Sequence, residues 1–289
     1  MSESILPPKS NTVFQLLFGD PRNIDLLADF LKAAIDIPED EYGDIVIVNP
    51  NLLREYHDRK LGIVDLRVTT RTGQIIHVEI QRYPFPSMRD RIVFYGANMI
   101  AGQLGEGDNY TLKRVVSILI TNYVLVLGSP FYHHRFTLYD RSALVEFTDL
   151  LEIRTLELPK LPELPDVYLW NWLRFFRAET KEELEMVANA SPVIQKATAR
   201  VLRLSKDERA RMLYEYELKA RRDEQARLNY AMEEGIEKGR AEGRTEGRAE
   251  GRTEGLTSVV LNMLQRNRPI AEIAEYTGLS LDEIKKRAR

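Results

Sequence analysis

One stretch constrains the fold more than any other: Gly62–Gln81, GIVDLRVTTRTGQIIHVEIQ. On the outgoing arm Ile63, Asp65 and Arg67 alternate with Val64, Leu66 and Val68. On the return arm His77, Glu79 and Gln81 alternate with Ile76, Val78 and Ile80. Residues two apart on a strand share a face, so the pattern predicts a β-hairpin with one aliphatic and one polar face. Arg71-Thr72-Gly73 lies between the arms. A short loop ending in a glycine at the left-handed position is a common hairpin connection. Centred on Thr72, the pairing sets Asp65 opposite Glu79. Opposed side chains sit about 4.5–5.5 Å apart at Cβ, where like charges destabilise a sheet. A bound divalent cation would account for two carboxylates there. A register slipped by one residue would separate them, and solvation on an exposed face, the usual state of a strand carboxylate, is the reading the hairpin alone favours.

The flanking sequence places this hairpin in an α/β domain. Phe14, Leu17 and Phe18 recur at helical spacing from Asn11, and Gly19-Asp20-Pro21 stops that helix. Ile24, Leu27, Ala28, Leu31 and Ile35 form one face of a second helix. Ile45–Val48 is a short strand-like run, and Met88–Leu104 reads as a helix. Arg114–Leu127 is β-branched and almost wholly apolar, as in a strand covered on both faces. Phe131–Tyr139 and Leu151–Leu158 are two further strands. The order of elements predicts a mixed central sheet flanked by helices.

The prolines of PKLPELP, residues 159–165, mark the edge of that domain. An all-helical region is predicted to follow, with helices at Tyr168–Phe176, Lys181–Ala190, Pro192–Leu204 and Lys206–Leu228. Glycines then fall at 235, 239, 243, 247, 251 and 255, a strict period of four. In a helix each would cost up to about 1 kcal/mol relative to Ala. Glu lies four from Glu and Arg four from Arg, which repels on one helix. The segment reads either as a tether, the choice favoured for a single chain, or as a helix formed when a second chain covers the glycine stripe. The end of the chain predicts helices over Leu256–Arg266 and Ile270–Tyr276 and a third capped by Ser280, a helix-turn-helix-like arrangement equally readable as a plain helical cap. The expected division is 1–160, 161–230, 231–255 and 256–289.

Composition narrows the chemistry. The chain has 289 residues, no cysteine and four histidines, so thiolate metal sites and disulfides are excluded and a histidine-rich zinc site has few ligands. The net charge of −3 gives no general affinity for a phosphate backbone, so nucleic-acid binding would need local basic clusters. The sequence carries no signal peptide and no apolar run long enough to cross a membrane, and a cytoplasmic protein is expected.

From Asn11 to about Lys160 the chain resembles the recombination-promoting nucleases, also described as transposases, of the PD-(D/E)XK nuclease superfamily. NTVFQLLFGD, GIVDLRV with IIHVEIQ, RDRIVFYGANMIAGQLGEGDNY and LEIRTLELPKLP carry the resemblance, in that order. It implies a restriction-endonuclease-like core in 1–160 and an all-helical C-terminal region. It also implies Mg²⁺-dependent DNA cleavage, with Mn²⁺ as substitute, linked to recombination or transposition. Asp65, Glu79 and Gln81 would be the catalytic residues, and Asp65, Glu79 and the Ile80 carbonyl would hold the metal. Arg82 and Arg91 follow the motif as phosphate contacts, with plain solvation the alternative. Tyr95 and Gln103 would line the DNA cleft, with core packing the alternative for Tyr95. Two carboxylates suit a hard cation that activates water and offsets charge on the phosphate. Gln81 stands where the superfamily has Lys, so slow cleavage or a narrow metal preference is expected. Asn11 and Gln15 stand where the family's first helix has Asp and Lys. A catalytically degenerate DNA-binding or assembly protein is the alternative. DNA is the implied partner, and the 231–255 repeat the implied surface for a homo-oligomer.

Overall fold

The structure, a computed structural model, describes residues 4–35, 45–48, 66–164 and 167–287. Its centre is β4 (Val115–Thr121), in which every residue is buried. β3 (Ile75–Gln81) and β6 (Val145–Glu157) run parallel to β4, one on each side. β2 (Leu66–Thr69) pairs antiparallel with β3, β1 (Val46–Ile47) with β2, and β5 (His133–Asp140) with β6. The described sheet is mixed, with strand order β1-β2-β3-β4-β6-β5. A β-branched run without polar alternation can only be satisfied in this central position, where neither face meets water.

One face of the sheet presents Ile76, Val78, Ile80, Val116, Ile118, Ile120 and Leu156 to the main core. Helices from both sides of the sheet sequence complete that core: α1 (Asn11–Phe18), α2 (Ile24–Ala34), and, from later in the chain, helices at Tyr168–Arg177, Lys181–Ala188 and Pro192–Lys206, with Ala210 from the helix that follows. Trp172 lies at its middle, 5.6–6.2 Å between ring centroids from Phe18, Phe30, Phe175 and Phe176. Its indole Nε1 donates to Asp29 Oδ2 at 2.8 Å, so the one polar atom of the ring is satisfied. The opposite face of the sheet is covered by α3 (Met88–Ala101), whose Met88 and Ile92 pack on Leu119. Gly96 permits the close approach, since a Cβ there would stand 2.5 Å from Leu151 Cδ1. In chain order the three later core helices are α4, α5 and α6.

The hairpin register is the one expected from its loop. Leu66 pairs with Val78, Arg67 with His77, Val68 with Ile76 and Thr69 with Ile75, all centred on Thr72. Gly73 takes φ +86°, and its N–H donates to the Thr70 carbonyl at 3.0 Å. Asp65 lies outside the described residues. β4 ends at Thr121, earlier than the apolar run to Leu127 suggests, because Asn122 and Tyr123 turn the chain out of the sheet.

The chain divides into two units, residues 1–220 and 221–289. A single helix, α7 (Glu208–Gln265), runs through the glycine repeat, which corrects the expected tether. Between the glycines Glu and Arg recur with Ala or Thr, and the helix propensity of Ala, Glu and Arg carries the backbone through them. In the first unit Glu217 of α7 accepts from Thr12 N at 2.9 Å and Thr12 Oγ1 at 2.8 Å, holding the start of α1. In the second unit Val260 packs with Ile273 of α8 (Ile270–Thr277) and Ile284 of α9 (Leu281–Arg287). Ser280 and Glu283 cap α9 reciprocally, as predicted.

Replacing Trp172 by Ala should lower the unfolding free energy by about 3–5 kcal/mol. Chemical denaturation measures this, and a loss below about 1 kcal/mol would mean that the ring cluster does not anchor the helical layer.

Candidate active site

The parallel register assembles the site. Glu79 stands beside Leu119, which stands beside Thr155; Gln81 stands beside Thr121, which stands beside Glu157. Residues so aligned point to one face. The C-terminal ends of β3, β4 and β6 therefore carry Glu79, Gln81, Thr121 and Glu157 on the side that α3 covers. Glu79 is 1% exposed. A carboxylate that deep requires a compensating charge or strong hydrogen bonds.

Arg91, on the second turn of α3, answers Glu79. Its Nη2 donates to Glu79 Oε1 at 3.2 Å, and its side chain is 15% exposed. The guanidinium carbon lies 5.5 Å from the ring centroids of both Phe85 and Tyr95, within cation–π range. Tyr95 in turn meets the buried His77 edge-on, with centroids 6.3 Å apart. Glu79, Arg91 and Tyr95 thus come together, and Tyr95 both packs against the strand and flanks the cation.

The other expected residues are distributed as follows. Gln81 is half-buried, and its Nε2 donates to the Tyr83 carbonyl at 3.1 Å. Arg82 Nη1 donates to Tyr214 Oη at 3.3 Å, on α7. Gln103 stands apart from the strand ends. Its amide makes a two-way bond with the main chain of Lys113, which precedes β4, at 2.8 and 2.6 Å. Asn11 N donates to Glu217 Oε1 at 3.3 Å. The Gln15 amide is buried with no hydrogen-bond partner among the described residues.

Two residues at the site were not singled out from the sequence. Glu157 is buried, accepts from Leu125 N at 2.9 Å, and lies 3.0 Å from Lys160 Nζ and 3.5 Å from His134 Nδ1. Tyr123 follows β4, and its hydroxyl has no hydrogen-bond partner among the described residues. Burial first, and then the charge of Glu79, push the Tyr123 phenol up to about 12, against the opposing pull of Arg91. The only clue in the sequence was their place at the ends of apolar strands. Glu152, a third buried carboxylate, is a contrast: Arg114, Arg135 and Arg154 all bind it, so it is neutralised.

No group of three His, Cys, Asp or Glu residues able to hold a metal occurs among the described residues. The donors that β3 offers are nonetheless of the right kind. Ile75 N donates to Arg114 O and Asn122 N to Gln81 O, so odd-numbered residues of β3 turn their main-chain groups to β4. Even-numbered ones turn to the β2 side, and the Ile80 carbonyl with them. A carboxylate and a carbonyl are both hard oxygen donors, which fit Mg²⁺ or Mn²⁺ and not a thiophilic metal.

A mixed sheet of this order, flanked by helices and followed by a long helical region, is the restriction-endonuclease-like architecture. The sequence profile of the PD-(D/E)XK nuclease family transposases matches residues 8–231, and the chain belongs to that family. No curated protein and no solved structure matches it. Membership makes the function nuclease-like, with DNA the implied substrate; such nucleases generally use divalent metals. No described helix is long and apolar enough to cross a membrane.

A phenol whose pKa is raised on folding contributes stability that is intact below its unfolded value near 10 and is lost as pH rises towards 12. Wild type should therefore lose stability between about pH 10 and 12 more steeply than Tyr123→Phe. Denaturation at a series of pH values tests this, and superimposable profiles would remove Tyr123 from the charged site.

Proposed function

We propose that this chain is a divalent-metal-dependent DNA endonuclease that hydrolyses phosphodiester bonds in recombination or transposition. The observation that carries this is Glu79, a buried carboxylate at the end of β3, sharing a face with Gln81 and paired with Arg91. Glu79, the Ile80 carbonyl and Asp65 are assigned to Mg²⁺, with Mn²⁺ as substitute. The ion supplies a more acidic water and neutralises charge on the phosphate. Gln81 turns its Nε2 to Tyr83, which leaves Oε1 to accept a hydrogen bond from the attacking water. Arg82 and Tyr95 are retained as contacts to DNA. Gln103, bound to the main chain of Lys113, is assigned a structural role.

The chemistry is placed in residues 1–160, with 161–230 as helical support and 256–289 as a small helical segment. The repeat of 231–255 is assigned to homo-oligomerisation, and its charges select the arrangement. Glu precedes and Arg follows the central glycines, so the two flank the stripe about 100° to either side. A two-fold parallel to the helices sets the Glu flank of one chain on the Arg flank of the other. An antiparallel pair sets Glu on Glu and Arg on Arg. The parallel pair is therefore favoured.

The alternative is a degenerate DNA-binding or assembly protein, favoured by the uncharged Gln81 and by the pairing of Glu79 with Arg91. Plasmid cleavage separates the two readings. Wild type should nick plasmid in Mg²⁺ or Mn²⁺, with Glu79→Gln and Asp65→Ala at least about 100-fold slower. Retained DNA binding without metal-dependent cleavage would favour the degenerate protein. For the repeat, sedimentation of the full chain should show a dimer that Arg244→Glu, Arg248→Glu and Arg252→Glu together dissociate. A monomeric wild type, or an unchanged variant dimer, would contradict the assignment.

A further inference from the structure

Phosphodiester cleavage raises negative charge on the phosphate, and the polar face of β3 itself offers only His77, a carboxylate and an uncharged amide beside the metal among the described residues. Gln81 gives little help, because it has no charge and one of its two amide N–H donors is held by the Tyr83 carbonyl. Among the described residues the cation that reaches Glu79 is Arg91, which arrives from α3. Its guanidinium is fixed on three sides, by Glu79 at 3.2 Å and by the Phe85 and Tyr95 rings at 5.5 Å each. Its Nε is buried with no hydrogen-bond partner among the described residues. The two rings hold the guanidinium without using up its N–H donors, so it keeps donors for an oxyanion.

A divalent ion and a guanidinium compete for one carboxylate. When an ion takes Glu79, the ion pair is weakened and Arg91 must find another anion, since an unpaired buried cation is costly. The anion that arrives with the substrate is the phosphate. Resting on the cleavage reading above, we propose that Arg91 is the transition-state cation of this site. It pairs with Glu79 while the metal is absent. It donates to a non-bridging oxygen of the scissile phosphate once metal and DNA are bound. The ion pair then also opposes metal entry, because the ion has to displace Arg91 from Glu79.

Two measurements on the full chain test this. Titration calorimetry with Mn²⁺ alone should show Arg91→Met binding about tenfold more tightly than wild type, because the Arg91 guanidinium no longer competes for Glu79. Glu79→Gln should abolish the heat. Plasmid cleavage by Arg91→Met should fall about 100-fold, mainly in kcat, with Arg91→Lys intermediate. Adding Gln81→Lys to Arg91→Met should restore cleavage at least about tenfold, because the charge is returned from the neighbouring place on the strand. Loss of packing alone would neither tighten Mn²⁺ binding nor be rescued by a lysine at 81. Unchanged Mn²⁺ affinity, or a double variant no faster than Arg91→Met, overturns the proposal. A wild-type protein that neither binds Mn²⁺ nor cuts fails at the cleavage reading itself. A wild type that cuts, with an equally active Arg91→Met, fails at Arg91 only.

Discussion

Everything at the site depends on β4 being covered on both faces. Its aliphatic residues admit parallel strands on either side and helices above and below. Parallel pairing then leaves no freedom in which residues align. Glu79 and Gln81 on β3 fall level with Thr155 and Glu157 on β6, and all four point towards α3. A slip of one residue would bury the aliphatic set under α3 and turn the acids into the main core, so hydrophobic burial itself enforces the position of the acids.

Burial also shapes the chemistry. A carboxylate as enclosed as Glu79 is stable only with a cation beside it. Arg91 fills that role, held between two rings that contribute no competing charge. Glu157 is satisfied differently, by main-chain N–H groups and Lys160. Glu152 is surrounded by three arginines. Of these three buried carboxylates, Glu79 has a counter-ion drawn from a separate helix across the site's own face.

What could be read in the sequence was local. The hairpin register follows from alternation and from one glycine with positive φ, and it appears as expected over Leu66–Thr69 and Ile75–Val78. The site was half legible. Alternation shows that Glu79 and Gln81 share a face, but it says nothing about which strands are neighbours. Glu157 and Tyr123 join the site through pairing between strands distant in sequence, so their place was hidden. Gln103 looked like a cleft residue, yet its amide is bound to Lys113, a loop contact without periodicity. The glycine repeat misled for another reason. Counting glycine costs and like-charge spacings gave a weak helix, while the helix-forming residues between them sustain one continuous element.

The central claim is that the end of β3 is built to exchange a guanidinium for a divalent cation. A crystal structure with Mn²⁺ tests it most directly. Anomalous scattering should place the ion about 2 Å from a Glu79 carboxylate oxygen, with the Arg91 guanidinium moved off that carboxylate. An ion-free strand end at saturating Mn²⁺, with the Glu79–Arg91 pair intact, would contradict the account.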